Sequence, residues 1–588
     1  MAYDPIPLDQ FSAFATAIEL SSVALGGRIV SVSDEFFAEA HHLLLVEPAP
    51  SLKGQFGPKG ALYSGWETRR HNPTYDWCIV KLGTAGTIFG FDVDTSHFNG
   101  NEAPKVSIDA LFSTEEQEPR VDDSRWNEIL PIVPLGPNSR HLFKIPETPG
   151  VNYVKLNLYP DGGIARFRVY GLVTPVFPKN PADLLDLAHV LAGGRVVFTS
   201  DQHFGVGSNL ILPGRGKCKD MGDGWETKRS RQKDHKDWVI IRLGAPGYVE
   251  QVEIDTAHFK GNFPESCEIH ATTSGNLVPD DPSEDAWTLV LSRTKLGPHR
   301  RHFFQLENVQ GCSFTHIRVT IYPDGGIKRV RVLGRRAELP SSATSHDSTA
   351  SSSTAQDDSV NATSDEVGVP SAVSHPSQMN MGPAIPAVPL TPEAFAPFGR
   401  VIMGHSDLDA VPRGVKVTAA NNGTASKFHK LSLLESSYPS ESGATAGISV
   451  YRCSPIAAKP GGRWEVKQLE RHPYTNQAFI PMGTGSGLVN LGGAEDALQT
   501  PGKAYLVIVA QNGEDDKPDL TTMRAFIASA GQGIVYDTGI WHHPMAVLET
   551  DMDFACVETQ IGNGDNADCE VIDLDGTKGY YSIQIPTF

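Results

Sequence analysis

Cysteine is scarce. There are seven in 588 residues, an odd number with no C-x-x-C pair, which excludes a disulfide framework and predicts reduced thiols in an intracellular protein. No apolar run approaches the length of a bilayer span. The opening MAYDPIPLDQ has neither a basic n-region nor an apolar h-region, so no secretory signal is expected. The closing Ile-Pro-Thr-Phe is not the peroxisomal tripeptide. Basic charge is also in deficit. Against 69 Asp and Glu stand 50 Lys and Arg, interspersed, for a net charge of −19. That balance argues against nucleic acid or an anionic membrane as the main partner. The expectation is a cytoplasmic enzyme acting on small molecules.

What is present is glycine, proline and repetition. A 40% hydrophobic chain with 56 Gly and 42 Pro fits turn-rich β architecture, and its length predicts about three domains. YPDGGI occurs twice, at Tyr159–Ile164 and Tyr322–Ile327. Around it lies a long duplication. Gly65-Trp66-Glu67-Thr68-Arg69-Arg70 matches Gly224-Trp225-Glu226-Thr227-Lys228-Arg229, and Asp94-Thr95-Ser96-His97-Phe98-Asn99-Gly100-Asn101 matches Asp255-Thr256-Ala257-His258-Phe259-Lys260-Gly261-Asn262. Leu135-Gly136-Pro137 with Arg140-His141 matches Leu296-Gly297-Pro298 with Arg301-His302. The organisation expected is a first repeat over residues 1–178, a second over 179–338, a disordered Ser/Thr/Pro-rich linker over 339–386 and a third unit over 387–588. As a flexible coil the linker would span on the order of 40 Å.

Within each repeat the apolar residues alternate. Val154, Leu156 and Leu158 face one way, with Lys155 and Asn157 opposite. After the Pro-Asp-Gly-Gly turn, Phe167 and Val169 point inward and Arg166 and Arg168 outward. Ile317, Val319 and Ile321, then Arg329 and Arg331, repeat the pattern. Short strands with Gly/Pro turns indicate antiparallel sandwiches. Helix is expected only at Pro181–Leu191 and in a capped turn at Leu390–Phe395.

The shared polar residues divide into turn chemistry and candidate chemistry. YPDGGI needs no ligand to justify it. Paired arginines on one strand face can grip a carboxylate or form a solvated face. Asp94/Asp255 and His97/His258 sit where an alternating strand ends in a polar loop, as site residues or as Asx-turn and backbone-bonding groups. Glu67/Glu226 either act chemically or pair with the neighbouring arginine. His41-His42 is expected to lack a partner in the second copy, and no spacing is a metal signature.

Three ordered motifs occurring twice resemble the allantoicase family over about residues 10–338. The resemblance implies mainly β architecture, with two jelly-roll-like antiparallel β-sandwich repeats, homo-oligomers, and hydrolysis of allantoate to ureidoglycolate and urea. In the third unit, Asn421-Asn422-Gly423, Leu469-Glu470-Arg471-His472-Pro473, Gln477-Ala478-Phe479-Ile480-Pro481-Met482, Asp516-Lys517-Pro518-Asp519-Leu520, Arg524-Ala525-Phe526 and Trp541-His542-His543-Pro544 resemble the ureidoglycolate lyase family. That implies a cupin-like β-barrel, usually dimeric, releasing glyoxylate and urea. Compared with a cupin metal site, His472 and His542 survive, Tyr474 replaces a histidine and Gln477 stands near the usual Glu. The reading weighs against a tightly held metal there.

Allantoate hydrolysis needs an acid, a base and a cationic carboxylate grip. The candidates are Glu67/Glu226 or Asp94/Asp255 as base, His97/His258 as acid, Arg166/Arg329 with Arg168/Arg331 as grip, and Asn101/Asn262 beside them. For the lyase they are His542 or His543 as base, His472 as its counterpart, Lys517 and Arg452 for the carboxylate, and Asn421 and Gln477 for the ureido group. The lyase chemistry requires no cofactor, and a divalent metal is left open for the allantoicase part. The alternative is an N-terminal ligand- or partner-binding module carrying a single catalytic barrel.

Overall fold

The computed structural model describes residues 2–14, 16–215, 221–279, 286–337, 384–412, 414–483, 498, 501–564, 566–575 and 581–587. Most of the expected linker lies outside them. The fold expected from the resemblance is the one found, almost entirely β. No helix of the described residues is long and apolar enough to cross a membrane.

Each repeat is built on one 19-residue strand, Asp76–Asp94 in the first and Asp237–Asp255 in the second. Val151–Tyr159 pairs with the first half of Asp76–Asp94, and Arg140–Lys144 and Arg166–Val173 flank its second half, all antiparallel. The second repeat pairs in the same manner. Alternation explains the packing. Val154, Leu156, Leu158, Phe167 and Val169 are fully buried, as are Ile317, Val319 and Ile321. They belong to one apolar cluster that runs through both repeats.

The opposite faces are covered too. Lys155 and Asn157, on the face opposite Val154, Leu156 and Leu158, are buried as well: the ammonium of Lys155 lies 3.0 Å from Asp109 and over the Trp126 ring, and Asn157 donates to Asp109. The helix expected at Pro181–Leu191 is absent. Leu185–Asp186 pairs with Leu333 and Gly334, and a 3-10 turn covers Val190–Ala192. Strand pairing with the repeat's last strand outweighs helix propensity here. The first copy does the same with Ile18–Glu19.

The YPDGGI segments are turns, as read, with an added task. Gly163–Ile164 pairs with Trp66–Glu67, and Gly326–Ile327 with Trp225–Glu226. The third unit is a barrel of two sheets. The larger includes Gln468–Arg471, Ala504–Asn512, Pro518–Ser529 and Trp541–His542. The smaller holds Gly399–Ile402, Gly533–Tyr536, Gln477–Pro481, Met552–Gln560 and Thr445–Cys453. The capped turn is present, with Thr391 accepting from the Ala394 amide at 3.3 Å.

A Cβ at Gly163 or Gly326 would overlap the buried ring of Phe98 or Phe259. Gly163→Ala and Gly326→Ala are each expected to destabilise the repeats by about 1–3 kcal/mol, the usual cost of overpacking. A lowered thermal midpoint of the N-terminal unit checks this, and an unchanged midpoint refutes it.

Candidate active sites

The long strand of the first repeat ends between two arginine-bearing strands. Asp94 is in register with Arg140 on one side and Arg166 on the other, and Asp92 with Arg168. Residues two apart share a face, so two carboxylates and three guanidinium groups meet on the sheet surface away from the core. Arg140 Nε donates to Asp92 Oδ2 at 3.0 Å, and its Nη2 contacts the same oxygen. Asp92 Oδ1 is buried and has no protein partner. Burial raises the Asp92 pKa, and the Arg140 hydrogen bond opposes that. Asp94 Oδ1 accepts the Ser96 amide at 2.8 Å.

Above this face lies a cavity of about 330 Å³. Asp92, Asp94, Arg140 and Arg168 line it from the first repeat, and Ser208, Asn209 and Asp223 from the second. The volume suits a small ligand. The arginines divide their tasks. Arg168 is anchored by Glu19 at 2.7 Å and by the carbonyls of Leu45 and Val46. Arg166, 2% exposed, gives its donors to the carbonyls of Glu47, Ser64 and Ala165 and to the Ser64 hydroxyl. It is a structural clamp rather than a substrate grip. Arg140, with 40% of its side chain exposed, is the cation open to a ligand.

The second copy of this face is closed. Arg301 donates to both oxygens of Glu253 at 2.7 and 2.6 Å, and Arg215 grips Asp255 at 2.6 and 2.8 Å. Asp34 and Asp201 are equivalent, their carbonyls accepting from the indoles of Trp66 and Trp225, and at the offset that relates them Arg215 stands where the first repeat has Pro48. Arg329 is tied to the carbonyls of Asp223 and Lys328, and Arg331 to those of Leu212 and Gly214. The buried pair Lys328 and Asp223 replaces Ala165 and Ser64.

The other paired candidates lie outside the cavity. Glu67 accepts from Asn101 at 3.0 Å and Arg70 at 3.1 Å, while Arg70 reaches Asp161 of the turn. Burial raises the Glu67 pKa, with Asn101 and then Arg70 opposing. Asn262 donates to Glu226 at 2.6 Å in the second copy. These groups brace the small sheet under the turn. His97, at φ 72°, bonds the Ala49 carbonyl at 2.9 Å. His258, at φ 67°, packs edge-on against His299. Neither lines the cavity. His42 does have a positional partner: its ring bonds the Gly65 carbonyl as Asn209 bonds that of Gly224.

In the barrel, a second cavity of about 240 Å³ is lined by Glu470, His472, Gln477, Glu558, Asp568 and Tyr451, among others. His472 Nδ1 donates to the Asp568 carbonyl at 2.7 Å and His542 Nδ1 to that of Ile540 at 3.0 Å. Tyr536 stacks on His542, centroids 3.9 Å apart. Gln477 Nε2 donates to Glu558 Oε2 at 2.9 Å. Burial, then the neighbouring His472, pushes His542 down to about 3. A group so weakly basic is a poor acceptor for a hydroxyl proton at neutral pH. Burial, then Glu558, pushes Glu470 up to about 7.

Four lyase candidates fall elsewhere. His543 turns to Trp464, with its Nδ1 on the Pro544 carbonyl. Arg452 pairs with Asp553 at 2.9 Å on the surface. Lys517 is exposed in the turn before Pro518–Ser529, and Asn421 sits at the tip of the Lys416–His429 hairpin. Asp92 and Arg140 are not among the candidates that the sequence motifs single out, although Arg140 stands inside a repeated motif and Asp92 is two residues from Asp94. Glu470 had the same kind of signal beside His472. Glu558 had none.

The sequence profile of the allantoicase repeat matches residues 18–174 and 185–337, and that of ureidoglycolate lyase matches residues 382–578. A probable allantoicase of Schizosaccharomyces pombe is 48% identical over 337 residues, 56% of this chain and 96% of that protein. An allantoicase of Neurospora crassa is 46% identical over 330 residues, 55% of this chain and 92% of that protein. The crystal structure of allantoicase from Saccharomyces cerevisiae superposes with a TM-score of 0.50 at 41% identity, covering 57% of this chain and all of that one. These matches replace the alternative of an N-terminal binding module. The chain belongs to the allantoicase family, its two allantoicase repeats followed by a ureidoglycolate lyase domain.

Proposed function

We propose that this bifunctional enzyme hydrolyses allantoate to ureidoglycolate and urea at one open site between its repeats. The barrel then cleaves ureidoglycolate to glyoxylate and a second urea. The observation that carries the single-site reading is the asymmetry of the copies. Asp92 Oδ1 is without a partner over a cavity, whereas Glu253 and Asp255 are each held by an arginine at both oxygens.

In this reading Arg140 pairs with the allantoate carboxylate, and Asp94 accepts a ureido N–H. Asp92, its pKa raised by burial, delivers a proton to the departing urea nitrogen. As a carboxylate it then takes a proton from the water that adds to the same carbon. One proton enters and one leaves, so Asp92 is reset. Arg168 and Arg166 hold the 45–48 segment and Ser64 around the site and touch no reacting atom.

The barrel reaction moves one proton from the hydroxyl of ureidoglycolate to the urea nitrogen as the C–N bond breaks. No water or redox step is needed. Glu558, 5% exposed and fixed through Gln477, is assigned as the carrier. It takes the hydroxyl proton and returns it to the leaving nitrogen.

Asp92→Asn should lower urea release from allantoate by on the order of 10²–10⁴-fold, the usual worth of a positioned acid–base group. Glu253→Gln should leave it near wild type. Equal losses in the two variants would sink the single-site assignment. Arg140→Met is expected to raise KM for allantoate more than it lowers kcat, and steady-state kinetics separate the two. Glu558→Gln should lower glyoxylate release from ureidoglycolate by on the order of 10²-fold or more. Allantoate hydrolysis should be untouched in that variant, and full lyase turnover in it would refute the role.

A further inference from the structure

We infer that a second cavity between the repeats, separate from the one over Asp92, binds a small oxyanion through Arg195 and Arg242. Its volume is about 230 Å³, room for a phosphate or a short carboxylate. Ile18 and Pro175 line it from the first repeat, and Arg195, Arg242 and Gly244 from the second. Two guanidinium groups stand in this lining and, among the described residues, no carboxylate. A Cβ at Gly194 or Gly244 would overlap the carbonyl of Ala188 or Ala192, so that wall is bare backbone.

The cations are placed by strand register. Arg195–Thr199 runs antiparallel to Asp237–Asp255 with Arg195 directly opposite Arg242. Like charges so placed repel, and a slip of one residue would turn the whole strand inside out. The first repeat has the same pairing, Arg28 opposite Lys81, but answers both charges. Glu118 pairs with Arg28, and Lys81 lies 5.5 Å from the centroid of the Tyr153 ring. In the second repeat His316 takes the place of Tyr153 beside Arg242. It bonds the Thr315 hydroxyl and the Leu277 carbonyl and brings no negative charge. Arg242 is exposed and has no hydrogen bond or ion pair among the described residues. Arg195 gives Nε and Nη2 to the Thr16 carbonyl at 3.2 and 3.1 Å, and Nη2 also to the Thr16 hydroxyl at 2.9 Å. Its Nη1 is left for another acceptor. Burial, then Arg242, lowers the Arg195 pKa. Glu147 opposes this from outside the lining, where it accepts from the Thr87 hydroxyl at 2.8 Å. Two guanidinium groups with free donors suit the oxygens of one anion, and the anion removes the repulsion between them.

The site is joined to the catalytic cavity by four residues, a step that rests on the single-site reading. Thr16 holds Arg195, Ile18 lines both cavities, and Glu19 holds Arg168 at 2.7 Å on the catalytic side. An anion that draws Arg195 away from Thr16 loosens this segment at its far end. Binding is therefore expected to raise KM for allantoate.

The test titrates the full chain by calorimetry with inorganic phosphate and, separately, with glyoxylate, both at low ionic strength. At least one site per chain is expected that survives Arg140→Met, which removes the open cation of the catalytic cavity. Arg242→Met should weaken that site by on the order of 10–100-fold, the worth of a hydrogen bond to a charged group. The variant loses one of two repelling charges, so its thermal midpoint without anion should not fall. Phosphate should raise the midpoint of the wild type and its KM for allantoate, and neither in Arg242→Met. Binding of phosphate alone assigns a dianion and binding of glyoxylate alone a carboxylate, each in support of the site. No binding by the wild type, undiminished affinity in Arg242→Met, or loss of all binding in Arg140→Met overturns the inference. Full allantoate hydrolysis by Asp92→Asn would defeat the single-site reading and leave the anion site standing.

Discussion

Charges placed on the covered face of a sheet have to be neutralised, and the allantoicase repeats depend on how that is done. The 19-residue strands Asp76–Asp94 and Asp237–Asp255 each carry apolar residues into the core and two carboxylates onto the other face. Flanking strands bring arginines to the same level by register alone. An unpaired ion there would cost several kcal/mol, so the arginine–carboxylate ladder is a condition of folding before it is a device for catalysis. Where the ladder is complete, the face is closed. Where one carboxylate oxygen is left without a partner, the face stays open to a cavity.

The duplication therefore gave one scaffold two fates. Arg215 in place of Pro48, and Lys328 with Asp223 in place of Ala165 with Ser64, convert an open face into a self-satisfied one. The closed copy still contributes, because its Ser208, Asn209 and Asp223 form the far wall of the open cavity. The repeats share one apolar cluster, so that wall is held by the core itself.

The barrel solves the opposite problem. Its pocket collects acceptors rather than opposed charges, and orients them by bonds on their far sides: two backbone carbonyls behind the histidines, Glu558 behind the glutamine and the Tyr536 ring against His542.

Period-two alternation determined the strands, because side chains on a pleated sheet must alternate and apolar ones must be buried. It was sufficient to put Phe167 inward and Arg168 outward. The repeated motifs, through their family resemblance, determined the order of the two enzymes. What the chain could not declare was which polar residues meet. Glu67, Asp94 and His97 occur in neighbouring motifs, but strand register sends Glu67 under a turn, His97 to an outer loop and only Asp94 to the cavity. Glu558 reaches Gln477 from 81 residues away across a sheet. Adjacency of that kind belongs to strand pairing between distant segments, so only the tertiary structure decided which copy stays open and where the acceptors converge.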